Sequence, residues 1–122
     1  MARIAHLSDI HFGAHDPRIV DAATAWLEER RPDLVVISGD LTQRARVEQF
    51  RAAAAWLGRL RAAGLKILVI PGNHDVPLFD VVRRFARPLA RYKRYIGRDL
   101  CPFYEDDEVA ILGLNTARSL TI

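Results

Sequence analysis

The chain has 122 residues, half of them apolar and 27% charged, with a formal net charge of +3. That length holds one domain, and the composition is that of a globular protein with a core rather than a disordered or fibrous chain. No purely aliphatic run, Ile67 to Ile70 included, exceeds four residues, far short of the ~20 that span a bilayer, and the lone Cys101 excludes an internal disulfide.

Arg3 to Leu7 reads as a short strand. Asp16-Pro17 then supplies a capping carboxylate and a proline already set for the first helical position. Ile19, Ala22, Ala23, Trp26 and Leu27 recur at helical spacing and predict one apolar stripe, ended by Pro32. Leu34 to Ile37 is a continuous apolar run, the pattern of a strand covered on both faces. A second helix is predicted from Val47, Phe50, Ala54, Leu57 and Leu60, with Gly64 where a left-handed residue closes it. Lys66 to Ile70 returns to strand. A third helical pattern, Phe79, Val82 and Phe85, is cut at Pro88, and a short basic helix resumes as far as Gly97. Phe103 to Glu105 and Val109 to Leu114 predict two strands around an acidic turn. The order argues an α/β fold, a mostly parallel sheet flanked by helices.

In open α/β sheets, ligands sit beyond the carboxyl ends of the strands. The first strand runs out into Ser8-Asp9-Ile10-His11, the second into Ser38-Gly39-Asp40-Leu41 and the third into Pro71-Gly72-Asn73-His74-Asp75. In an extended segment Asp9 and His11 point to one face, where a carboxylate and an imidazole can grip one cation. Gly39 and Gly72 each precede a candidate ligand at a bend, where the missing Cβ permits close approach. Carboxylate, imidazole and amide donors suit manganese, iron or zinc, and a carboxylate such as Asp40 can bridge two cations. Two cations about 3.5–4 Å apart acidify a shared water and clamp the oxygens of an in-line phosphoryl displacement.

Asp9-x-His11, Gly39-Asp40 and Gly72-Asn73-His74-Asp75, in that order, resemble the calcineurin-like metallophosphoesterases. Twenty-seven residues separate His11 from Gly39 and 31 separate Asp40 from Gly72, room for one helix and one strand in each gap. The resemblance implies that Asp9 and His11 bind a first metal, Asp40 bridges, and Asn73 binds a second, so that two divalent ions serve the parent site. It implies that His74 faces the substrate phosphate and serves the leaving oxygen as a catalytic group, with Asp75 beside it as a second catalytic candidate. The phosphoprotein-phosphatase branch places an acid and an arginine after the bridging aspartate. Gln43 and Arg44 stand there instead. HLSDIHFG, ISGDLT and VIPGNHD look closest to bacterial class III cyclic-nucleotide phosphodiesterases, and DNA-repair nucleases of the same superfamily read similarly.

The family completes its site with three further histidines in its second half. This chain has four, His6, His11, His15 and His74. The resemblance therefore implies a single truncated domain, residues 1–122, that corresponds to the N-terminal half of an αββα sandwich and stops at Arg118 to Ile122. Weak or partial metal occupancy and little turnover are expected of it. An uncovered apolar sheet face is expected to favour a homo-oligomer. The expected partner is a small phosphodiester such as a cyclic nucleotide, in the cytoplasm and away from membranes. Nucleic acid is the rival, favoured by seven bases and no acid between Val81 and Arg98. A non-catalytic association module is the alternative outside enzymology.

Of the remaining residues, His6 reads as a hydrogen-bonded structural histidine and His15 either borders the site or faces solvent. Trp26 and Trp56 read as packing anchors and Cys101 as a buried thiol. Arg44 and Arg46 are open between phosphate contact and a helix surface, and Asn115 and Thr116 between a substrate role and none.

Overall fold

The computed structural model describes residues 1–117; the expectation about Arg118 to Ile122 lies outside them. Its elements follow the predicted order. They are β1 (Ile4–Leu7), α1 (Pro17–Arg30), β2 (Leu34–Ser38), α2 (Val47–Ala62), β3 (Ile67–Ile70), a 3₁₀ turn (Asn73–Asp75), α3 (Val81–Ala86), α4 (Ala90–Tyr95), β4 (Phe103–Glu105) and β5 (Ala110–Leu112). Strands β1, β2 and β3 form a three-stranded parallel sheet in that order, with Ile4 opposite Leu34 and Val35 opposite Ile67. Parallel neighbours cannot be joined by a tight turn, so α1 and α2 are the crossovers that the sheet requires. β4 and β5 make an antiparallel hairpin, Phe103 opposite Leu112.

The punctuation acts where the sequence places it. Asp16 caps α1 by accepting the Arg18 N–H, with Pro17 at the first helical position and Arg31 in the left-handed region before Pro32. Gly64 has φ +87°, and the Leu65 N–H reaches back to the Leu60 carbonyl at 3.2 Å, closing α2. β2 is central and dry, with Leu34, Val35 and Ile37 all fully buried. From α2, Phe50, Ala53, Trp56, Leu57 and Leu60 pack into the same core, and Tyr92 of α4 meets Phe50 edge-on at 6.4 Å between ring centroids.

Four expectations are corrected. On α1, only Thr24 and Leu27 are buried, whereas Ile19 and Trp26 are 68% and 50% exposed. Helix α1 lies over β1, an edge strand, and its predicted stripe lines an open apolar groove of about 660 Å³ with Ile4 to Leu7. Trp56 is the anchor instead, its Nε1–H donating to the buried Thr24 hydroxyl at 2.8 Å. The stripe around α3, Phe79, Val82 and Phe85, is exposed, because α3 is only six residues long and buries none of its own side chains. Cys101 is exposed as well.

Candidate metal centre

The loops that leave the sheet continue its pairing past the strand ends. The Asp9 N–H donates to the Gly39 carbonyl (3.3 Å), His11 to Asp40 (3.0 Å), Phe12 to Leu41 (2.8 Å) and Gln43 to Phe12 (3.0 Å). The first two loops are thus sewn together along their backbones, and a parallel bridge joins Phe12 to Thr42. Asp9, His11 and Asp40 take φ values of 56°, 56° and 53°. The expected extended segment is therefore corrected: left-handed backbone, not strand alternation, aims Asp9 and His11. Each such residue costs about 1 kcal/mol or more, so the surrounding hydrogen bonds must hold them.

The result is convergence. One donor atom from each of Asp9, His11 and Asp40 lies within 4.8 Å of the others. His11 Nε2 is 3.4 Å from Asp9 Oδ1 and 3.7 Å from Asp40 Oδ2. Two carboxylates and an imidazole so disposed fit a divalent cation by donor type and spacing. The Ser8 hydroxyl, with smaller help from His11 and Asp40, holds the Asp9 carboxyl below the ordinary aspartate range, so it is a ready anion. His11 Nδ1 meets the Gln43 Oε1, which places the ring proton on Nδ1 and leaves Nε2 free as a ligand.

The third loop is fixed by two close approaches. A Cβ on Gly72 would sit 2.1 Å from Asp40 Oδ1, and one on Gly39 would sit 3.1 Å from the Gly72 Cα. Only glycine at 72 lets Asp40 occupy its place. Asp40 Oδ1 accepts the His74 N–H at 2.9 Å, which ties the carboxylate to the residue expected to meet substrate. The His74 ring lies 4.7 Å from that of His11. Its Nδ1 is 2.8 Å from the Gln43 carbonyl, which can only accept, so the Nδ1 proton points there and Nε2 is left outward-facing in hydrogen-bonding terms. Asn73 opens the 3₁₀ turn between these groups and is exposed.

Asp75 goes elsewhere. It is 1% exposed; its Oδ2 accepts the N–H groups of Leu41 (3.2 Å) and Gly72 (2.9 Å), and its Oδ1 accepts the Thr42 N–H and hydroxyl, both at 2.9 Å. Burial pushes this carboxyl up against the pull of those donors. Adjacency to His74 in sequence suggests a catalytic acid, whereas the geometry makes Asp75 a staple between the second and third loops. A chain trace of spacings carries no sign of which way a carboxylate turns.

The matching family model decides the lineage: that of the calcineurin-like phosphoesterases, which covers residues 2–118. The chain belongs to that family. It is 37% identical over 83 residues to the glycerophosphodiester phosphodiesterase GpdQ of Enterobacter lignolyticus, covering 59% of this chain and 29% of that protein. It is 31% identical over 113 residues to the DNA double-strand break repair protein Mre11 of Methanococcus maripaludis, covering 83% of this chain and 30% of that one. A transmembrane protein with metallophosphoesterase domain from Danio rerio is 39% identical over 80 residues, 65% of this chain and 18% of that one. The chain spans under a third of the length of these curated relatives. Among the described residues, no helix is long and apolar enough to cross a membrane.

Membership makes the chain part of a metal-dependent phosphoesterase lineage, with an α/β architecture in which three parallel strands deliver the motif residues to one edge. His6 lies off the cluster, hydrogen-bonded through Nε2 to Ser38 Oγ at 2.6 Å. His15 lines, together with His6, Ser8, Asp9 and Asp16, a cavity of about 410 Å³. Asn115 spends its side-chain oxygen on the Ala117 N–H. Gln43 and Thr42 are the contributors that sequence reading passed over; their signal was a polar residue pair directly after a ligand loop.

Proposed function

We propose that the chain carries the N-terminal metal-binding and substrate-facing half of a phosphodiesterase site, with Asp9 and His11 on a first cation, Asp40 bridging and Asn73 on a second. The observation that carries this reading is the meeting of Asp9, His11 and Asp40 donors within 4.8 Å, at the sheet edge where His74 also stands. When bound, divalent cations supply Lewis acidity toward phosphoryl oxygen and lower the pKa of water. His74, its Nδ1–H directed at the Gln43 carbonyl, presents Nε2 for proton exchange with the departing oxygen. Asp75 acts through others, as a positioning residue that fixes the Asp40 and His74 loops in register. The substrate is a phosphodiester, a cyclic nucleotide first and linear nucleic acid second, met in a reducing compartment such as the cytoplasm. The likeness to an Mre11 protein over 83% of the chain supports the second reading, and cleavage of linear DNA with cyclic nucleotides untouched would select it. The exposed Ile4, Ile19 and Trp26 along β1, an edge strand among the described residues, support self-association, which a monomeric mass by light scattering at high concentration would refute.

Four donors shared between two cations make slow turnover the expectation for this chain alone, so substrate contact is the better readout. With Mn²⁺ added, bis(p-nitrophenyl) phosphate should show paramagnetic broadening of its phosphorus resonance that disappears in Asp40→Ala. A resonance untouched by Mn²⁺ and protein together contradicts the proposal, and rapid hydrolysis by this chain contradicts the four-donor reading of the site.

A further inference from the structure

Outside the metal cluster, a recess among the described residues gathers three arginines. Between the loop after β2 and the approach to α3 lies a recess of about 180 Å³ into which Arg44, Arg46 and Arg91 contribute, opposite Pro77, Phe79 and Asp80. Arg91 is anchored, its Nη1 donating to the Ala45 carbonyl at 3.1 Å. Arg44 is anchored on its neighbour's carbonyl, Nη1 to Gln43 O at 2.9 Å, leaving Nε and Nη2 without a protein partner among the described residues. Arg46, exposed at the N-cap of α2, accepts the Phe50 N–H on its carbonyl at 3.0 Å, while its guanidinium has no hydrogen bond or ion pair among the described residues. Asp80 is the single carboxylate, 3.9 Å from Arg91 Nη2 and 3.3 Å from Arg83 Nε. Three guanidiniums against one acid leave an excess of two positive charges in the recess.

Like charges gathered around a concavity repel unless an anion joins them, and guanidinium forks match phosphate oxygens. The recess is also contiguous with the proposed chemistry, because Arg44 Nη1 lies 3.2 Å from His74 Nδ1. Phe79, 74% exposed at its rim, offers an aromatic face to a base. We propose that this recess is a subsite for a second phosphate carried by the substrate next to the scissile one, as in successive steps of a nucleotide chain. The proposal deepens the second, linear nucleic-acid form of the phosphodiester reading and rests on that reading for the word substrate. It distinguishes a nucleotide chain from a cyclic mononucleotide or a glycerol diester, neither of which carries a flanking phosphate.

The test is a metal-free calorimetric titration of the folded chain with thymidine 3′,5′-bisphosphate and, separately, thymidine 5′-monophosphate. The bisphosphate should bind about tenfold tighter, the value of one charge-assisted contact. That preference should vanish in Arg46→Ala, an exposed position that leaves the fold intact, and should partly return in Arg46→Lys. ¹⁵N spectra should place the perturbed Nε resonances at Arg44, Arg46 and Arg91. Equal affinity for the two ligands, or a preference untouched in both Arg46→Ala and Arg91→Ala, would overturn the subsite. The titration holds no metal, so an intact preference stands even where the Mn²⁺ experiment fails, and the two ideas fall separately.

Discussion

Removing the Asp75 carboxylate separates a staple from a catalytic acid. In Asp75→Ala the N–H groups of Leu41, Thr42 and Gly72 lose their acceptor, while the Thr42 hydroxyl keeps a second one, the His74 carbonyl at 3.2 Å. Each orphaned buried amide costs about 1–3 kcal/mol. Relief of the desolvation that pushes the Asp75 carboxyl up returns part of this. A net loss of about 3 kcal/mol is expected, roughly 10 °C in melting temperature for a chain of this size. Asp75→Asn is the finer probe. Its amide group meets a backbone N–H at either oxygen position, but turned toward Thr42 it can donate to that hydroxyl, and only the Thr42 N–H is orphaned. Its cost should be about 1–2 kcal/mol. Urea unfolding followed by tryptophan fluorescence reads both. A variant as stable as the parent, within about 0.5 kcal/mol, would refute the structural role and restore Asp75 as a candidate for chemistry.

Gly72→Ala places a Cβ 2.1 Å from Asp40 Oδ1 and should cost about 1–3 kcal/mol while displacing Asp40; a calorimetric Mn²⁺ titration unchanged from the parent would contradict the account of this glycine. Gln43→Ala frees His11 Nδ1 and should weaken divalent-metal affinity by about tenfold or more with little change in urea midpoint; unaltered affinity would show that the ring needs no such partner. Acid should destabilise the fold through two surface caps. Arg18 holds the Asp16 carboxyl below its ordinary 3.8, and the N–H groups of Glu108 and Val109 do the same for Asp106. A depressed native pKa gives a contribution present above 3.8 and lost as pH falls through the lowered value. Stability curves from pH 5 to pH 2 should therefore be flatter in Asp16→Asn and Asp106→Asn, and superposable curves would contradict the assignment.

The order of elements was legible because prolines and glycines punctuate it: Pro17 opens α1, Pro32 follows its end and Gly64 closes α2. The convergence of Asp9, His11 and Asp40 was legible only as an outcome. Its means, three left-handed residues held by backbone bonds between loops, leaves no mark in residue type, since aspartate and histidine occupy either region. Periodicity marked apolar faces on α1 and around α3 but not what meets them, and both faces are largely exposed. Trp26 and Trp56 occupy similar helical patterns; one reaches a buried hydroxyl and the other overhangs an edge strand. Adjacency of Asp75 to His74 is visible in sequence, whereas the Leu41 and Thr42 amides that reach its carboxylate from more than thirty positions away are not. The Gln43 carbonyl, which orients His74, belongs to the backbone and was beyond any reading of side chains.

Crystals of the 122-residue chain grown with Mn²⁺, measured at the manganese absorption edge, address the centre of the account. An anomalous peak about 2–2.5 Å from Asp9, His11 Nε2 and Asp40 is expected, and it should be absent from His11→Ala crystals. A protein that crystallises folded, saturated with Mn²⁺, yet shows no peak among these three side chains would contradict the metal centre and leave association as the better account of the chain.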